Sequence, residues 1–252
     1  MSILTDVPAP QAPEDAKTAV KQLQKDLAVL QQRVKEAGLP VVVLLEGWSG
    51  AGKGRATARL ISELDPRGYQ VYSYTAPEPS EARRPPLWRY WRDLPPKGQF
   101  AILDRSWYRQ SYQLSTDAIN TLERQLCDDG YLVLKFFLHI SEKEQRKRLD
   151  KLMDCPDTLW RIGEADVEQN RHYRRVLKGY ETLLEATDTP HAPWHVILNE
   201  SKNGGAWQLL STVKEAVEDA LAHGAPKPRS TRAPRWSWWT CQSCPTWTSP
   251  PP

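Results

Sequence analysis

The chain has 252 residues, 26% charged and 40% hydrophobic, with a formal net charge of +3. That length suffices for one α/β domain with a substantial core, while no run of eighteen apolar residues exists of the kind a transmembrane helix needs. Four basic residues (Lys227, Arg229, Arg232, Arg235) and no acidic one lie between Ala220 and Pro252, so the rest is close to neutral and any polyanion site must be local. Neither nucleic acid nor a membrane is therefore expected as a partner. The N-terminus lacks a basic stretch followed by an apolar one, and the four cysteines do not form a disulfide framework, so a cytoplasmic location is expected.

Residues 1–15 are rich in Pro and Ala and are expected to lack structure. A helix is predicted from Ala16 to Ala37, where Val20, Leu23, Leu27, Leu30 and Val34 form one apolar stripe, ended by Gly38 and Pro40. The stripe suits docking onto the domain's own core better than a dimer seam, which its length does not require. Strands are predicted at Val41–Leu45, Tyr69–Thr75, Phe100–Asp104, Leu132–Ile140 and Trp194–Leu198. Helices are predicted at Ser115–Cys127, Glu142–Lys151, Glu164–Thr187 (one long charged helix) and Ala206–Ala222. This alternation implies a parallel sheet flanked by helices, an α/β fold. After Leu221 there is no Leu, Ile, Val or Met, and four of the eleven tryptophans follow. Residues 223–252 are expected to be disordered or aberrant, an out-of-frame end being one hypothesis that the coding DNA decides.

Glu46-Gly47-Trp48-Ser49-Gly50-Ala51-Gly52-Lys53-Gly54 follows the first strand and opens a helix, and contains G-x-x-x-x-G-K. Small residues let backbone N–H groups turn around a phosphate, the helix N-terminus adds partial positive charge, and Lys53 adds a full one. The alternative is a glycine-rich turn serving only tight packing. Gly54 stands where this motif normally has a Mg2+-binding Ser or Thr, leaving Ser49 as the nearest hydroxyl. Asp104 ends the Phe100–Asp104 run, where a P-loop protein keeps the carboxylate that holds Mg2+, and Arg105 points a guanidinium at the same crevice. The competing reading of Asp104 is a helix cap. Arg83, Arg84, Arg89 and Arg92 interleave with Trp88 and Trp91, where a base could stack, although packing is the preferred reading for the tryptophans.

Four blocks then stand in a familiar order: EGWSGAGKG, PLWRYWRDLPPKGQFAILDRSWY, ERQLCDDGYLVLKFFLHISEKEQRKRL and TDTPHAPWHVI. Over residues 16–222 the chain resembles the polyphosphate kinase 2 family. The resemblance implies a thymidylate-kinase-like P-loop kinase fold with a helical lid. It also implies Mg2+-dependent phosphoryl transfer between inorganic polyphosphate and a nucleoside mono- or diphosphate, and a possible homo-oligomer. It carries the family's phosphate-loop lysine onto Lys53 and its Asp-Arg pair onto Asp104 and Arg105. The lid then falls at about 147–178, with Lys151, Arg161, Arg171, Arg174 and Arg175 as polyphosphate contacts by zone rather than singly.

The pattern is broken in places. The family's loop usually has Asp where Ser49 stands, Arg55 and Ala56 replace a usual Gly and Thr, and the Arg after the DRSWY block is displaced to Arg109 with no Glu following. Ser49→Asp is therefore expected to raise activity if the rest of the site is intact. The chain resembles the divergent first domain of a tandem polyphosphate:AMP phosphotransferase, so a catalytically weak polyphosphate- or nucleotide-binding domain is the alternative. An ATP-dependent nucleoside monophosphate kinase is the second alternative, disfavoured by the DRSWY block. Cys241 and Cys244 form a C-x-x-C without a second pair, and Cys127, Cys155, His139, His191 and His195 read as structural.

Overall fold

Val41–Gly47 (β1) opens with five aliphatic residues that are wholly inaccessible to solvent, the signature of a strand covered on both faces. The structure is a computed structural model that describes residues 3–4, 7–110 and 114–224. In it β1 lies between Phe100–Asp104 (β3) and Leu132–His139 (β4). Tyr69–Ser73 (β2) flanks β3, and Trp194–Leu198 (β5) flanks β4. The sheet is parallel throughout, with strand order β2-β3-β1-β4-β5.

The helices are Ala16–Ala37 (α1), Lys53–Ile61 (α2), Pro79–Ala82 (α3), Trp88–Arg92 (α4), Thr116–Asp128 (α5), Glu142–Met153 (α6), Pro156–Leu159 (α7), Glu164–Arg171 (α8), Tyr173–Thr187 (α9) and Lys202–His223 (α10). One layer joins α1, α2 and α10, and another joins α5 and α9. Asp15 caps α1 by accepting the Thr18 N–H (3.1 Å), and Gly38 ends it in the left-handed region. Val20, Leu27, Leu30 and Val34 are buried in the core, and Lys214 of α10 pairs with Asp26 at 2.9 Å. Gln24 donates to the Arg59 carbonyl (2.8 Å), and Gln31 exchanges two bonds with the Asp65 backbone. The stripe is thus spent inside the domain. Among the described residues no helix is long and apolar enough to cross a membrane.

Three expectations need correction. The single helix over 164–187 is divided at His172 (φ −107°, ψ 29°), because Tyr173 turns inward to stack on Trp48 and to donate to the Ile140 carbonyl (2.8 Å). No Gly or Pro marks that break. Within 1–15, Leu4 is buried and Ile3 packs against the core, so apolar residues among Pro and Ala find a surface to cover. Trp91 is 45% exposed and so is not a packing residue, while Trp88 carries the Arg84 and Arg92 guanidiniums over its ring at 4.2 and 5.0 Å. The expectation for the tail, with its C-x-x-C, lies outside the described residues from 225 onward.

Candidate active site

Because the strands are parallel, their carboxyl ends share one edge, the edge where such sheets bind ligands. The register sets Leu45 beside Asp104 and Gly47 beside Leu138. Gly47 has φ +129°, and a Cβ there would lie 2.3 Å from the Leu138 carbonyl oxygen, so only glycine lets the chain leave β1 at this point. Gly52, at φ +94°, makes the second turn and feeds the chain into α2. Between them Trp48 is fully buried, donating Nε1–H to His139 Nδ1 (3.1 Å) and stacking on Tyr173 at 4.0 Å. Burial pushes the His139 pKa down, which keeps its ring neutral and able to accept.

The loop's carbonyls are held by side chains from elsewhere. Arg148 Nη1 donates to the carbonyls of Gly50 (3.2 Å) and Ala51 (3.4 Å), and its Nη2 to Asn199 (2.8 Å). Asn199 Nδ2 donates to Ala51 (2.6 Å) and Gln145 Nε2 to Ser49 (3.1 Å). From α8, Asp166 Oδ1 accepts the Ser49 hydroxyl (2.5 Å), and Gln169 Oε1 accepts the Ser49 N–H (2.9 Å).

Lys53 Nζ donates to the carbonyls of Gly47 (2.8 Å) and Trp48 (3.0 Å). Burial pushes its pKa down, against the pull of the Glu46 and Asp104 carboxylates. Burial likewise raises the Glu46 pKa, opposed by bonds from the Ser106 hydroxyl (2.8 Å) and N–H (2.6 Å) and by Lys53. Asp104 Oδ1 is buried with no hydrogen-bond partner among the described residues. Arg105 has φ +62°, a left-handed conformation that costs a non-glycine residue about 1–3 kcal/mol, and its N–H donates to the Leu45 carbonyl (3.1 Å). Arg105 lines a cavity of about 430 Å3 at this end of the sheet.

Glu46, Ser49, Lys53, Arg105, Arg109, Asp166 and Gln169 supply the cavity's charged and polar lining, with Tyr108, Phe137, Tyr180 and Trp194 as walls. Of the residues singled out from the sequence, Gly47, Ser49, Lys53 and Arg105 meet at this cavity, and Asp104 lies close enough to act on the Lys53 charge. Gly50 and Ala51 face Arg148, and Gly54 is exposed on α2. The lid cations do not line the cavity. Lys151 lies along the outer face of α6, Arg161 stacks on Trp160 (5.1 Å), Arg171 pairs with Glu168, and Arg174 and Arg175 are exposed. Sequence reasoning missed Asp166, Gln169, Arg148 and Arg109 as site residues. Only Arg109 had a signal, four residues after Arg105; the others reach the loop from 97 or more residues away.

A glycine-rich loop leaving the central strand of a parallel sheet, a lysine opening the next helix, and an Asp-Arg pair ending the neighbouring strand define a P-loop kinase-type fold. The chain belongs to the polyphosphate kinase 2 (PPK2) family, whose model matches residues 11–224. It is 35% identical over 231 residues to a polyphosphate:AMP phosphotransferase of Pseudomonas aeruginosa, covering 86% of this chain and 46% of that protein. It is 32% identical over 226 residues to an AMP/ADP-polyphosphate phosphotransferase of Meiothermus ruber, covering 84% of each. The crystal structure of polyphosphate kinase 2 from Arthrobacter aurescens TC1 superposes with a TM-score of 0.77 at 25% identity, covering 86% of this chain and 82% of that one. The chain thus spans about half the length of the Pseudomonas relative and most of the other two.

Proposed function

We propose that the chain transfers a phosphoryl group between inorganic polyphosphate and a nucleoside mono- or diphosphate, with Mg2+. The observation that carries this reading is the meeting of Lys53, Arg105 and Arg109 in one cavity beside Asp104 and the glycine-rich loop. Phosphoryl transfer asks a protein for in-line positioning and for positive charge around the equatorial oxygens, more than for covalent help. In this reading Lys53 leaves the loop carbonyls to bind a phosphate, and Arg105 and Arg109 neutralise the transferred group. The loop 47–54 cradles a neighbouring phosphate, and the apolar walls exclude water. The buried, unpartnered Asp104 Oδ1 fits a cation, and Asp104 would hold Mg2+. Bound there, Mg2+ supplies charge neutralisation on the phosphate oxygens. The unit is assigned to residues 16–222, a span supported by the family match over 11–224, and its lid is assigned to 147–178. The lid cations contact polyphosphate outside the reacting centre. A cytoplasmic location, a homo-oligomeric state, and the absence of nucleic-acid and membrane partners complete the reading.

A second reading, a binding domain with weak catalysis, is favoured by one observation. Lys53 Nζ and the Ser49 N–H, two donors the reaction needs, are already engaged by protein acceptors. A coupled assay with Mg2+ and long-chain polyphosphate, run with AMP, ADP, GMP and GDP in turn, separates the two when paired with a polyphosphate titration. Turnover that disappears in Lys53→Ala establishes the phosphotransferase. Binding without turnover establishes the second reading. Lys53→Ala that keeps both wild-type turnover and wild-type polyphosphate affinity places the site elsewhere.

A further inference from the structure

Among the described residues, α8 is hydrogen-bonded to the glycine-rich loop through Ser49. Its hydroxyl donates to Asp166 Oδ1, and its N–H donates to Gln169 Oε1. Both partners are held in place. Asp166 Oδ2 accepts the Gly163 N–H (2.8 Å), and Gln169 Nε2 donates to the Tyr180 hydroxyl (3.0 Å). Asp166 also faces the cavity, and its negative charge acts on the Lys53 ammonium. A hydroxyl can donate to a carboxylate directly. A carboxylate at position 49, the residue usual in the family that this chain resembles, can meet Asp166 only if a proton or a cation lies between them, since like charges in contact disfavour ionisation of both.

We propose that Asp166 is the positioning residue that docks α8 onto the loop, and that Ser49 makes this docking independent of a divalent cation. The lid helix then sits over the site before any Mg2+ arrives, whereas a carboxylate at position 49 makes the docking conditional on the ion. The inference rests on the proposed phosphate site only for its functional meaning, because docking itself is read without substrate. The activity gain expected of Ser49→Asp becomes tied to the cation by the same argument.

Amide hydrogen exchange on the full chain, in EDTA and in Mg2+, tests this. In the wild type, exchange at Ser49 and across 164–171 is expected to be the same in both. Asp166→Asn is expected to speed exchange there in both, by about tenfold or more, the scale of one hydrogen bond to a charged group. Ser49→Asp is expected to exchange fast in EDTA and to recover protection in Mg2+, a rescue that a merely structural role of the pair does not produce. Unchanged protection of β1 and β4 amides shows that each variant is folded. If Ser49→Asp fails to fold, Asp166→Asn and the wild-type comparison still decide. Wild-type protection that requires Mg2+, Asp166→Asn protection equal to wild type, or a folded Ser49→Asp indifferent to EDTA each overturns the proposal. The expected exchange pattern in a chain that turns over no nucleotide leaves the docking standing and removes the phosphotransfer reading. Turnover with none of the exchange changes does the reverse.

Discussion

Lys53 occupies a site that weakens its own charge. Burial lowers its pKa from the ordinary lysine value of 10.5, and the Glu46 and Asp104 carboxylates offset part of that cost. A lysine is cationic below its pKa and neutral above it, so rising pH removes the charge that holds a polyphosphate oxygen. Polyphosphate affinity is therefore expected to fall on the alkaline side at a pH below 10.5, in the window set by the lowered value. An arginine does not titrate in that range, so Lys53→Arg should remove the alkaline loss even where it weakens binding at neutral pH. Titrations across pH on both proteins check this, and an alkaline loss that persists in Lys53→Arg would assign it to another group. Arg105 shows a different use of energy at the same scale. Its positive φ runs against the preference of a non-glycine residue, and the Leu45 carbonyl holds the turn in place.

At the scale of elements, the turn that carries Arg105 and Arg109 is braced by a buried ion pair. Lys135 on β4 and Glu123 on α5 meet at 2.8 Å with both side chains fully inaccessible. Lys135 Nζ also donates to the Tyr108 hydroxyl (3.1 Å) and the Thr187 carbonyl (2.6 Å). Tyr108 (2.6 Å) and Trp107 (3.0 Å) both donate to Glu123. One pair thereby ties β4, α5, the end of α9 and the 107–110 turn together. Burial pushes the Lys135 pKa down and Glu123 pulls it back, so each partner makes the other's charge tolerable. Removing one charge is expected to be far worse than removing both. Lys135→Met should destabilise by about 3–5 kcal/mol, and Lys135→Met with Glu123→Leu by clearly less, as read from denaturant midpoints. A double variant as unstable as the single one would show that packing, not charge, governs this place. The division between α8 and α9 belongs to this scale too: Tyr173, the first residue of α9, stacks on Trp48 of the loop.

For the whole molecule, α1 decides whether the domain is closed on itself. Its apolar stripe lies against α10, and its buried glutamines bond to the backbone at Arg59 and Asp65. Leu30, 3% exposed, belongs to the core and not to a subunit seam. Leu30→Ala is therefore expected to cost about 2–5 kcal/mol of stability and to leave the sedimentation mass unchanged. A change of mass without loss of stability would move α1 into an interface between copies.

Local sequence determined the frame of this protein. β3 and β5 have the predicted bounds, and β1 starts at the predicted residue, because short, largely apolar runs bounded by polar or turn residues suit a buried strand. The loop with Lys53 and the Asp104–Arg105 pair were legible for a related reason: glycines, a lysine and a strand-end carboxylate sit at fixed short spacings along the chain. Only the tertiary structure decided that Ser49 answers to Asp166 and Gln169, 117 and 120 residues away. It alone buried Lys135 against Glu123, kept the lid cations out of the cavity and broke the helix at His172. Those outcomes depend on which side chains the fold brings into contact, and composition and periodicity hold no information about contacts that the chain makes only by returning on itself.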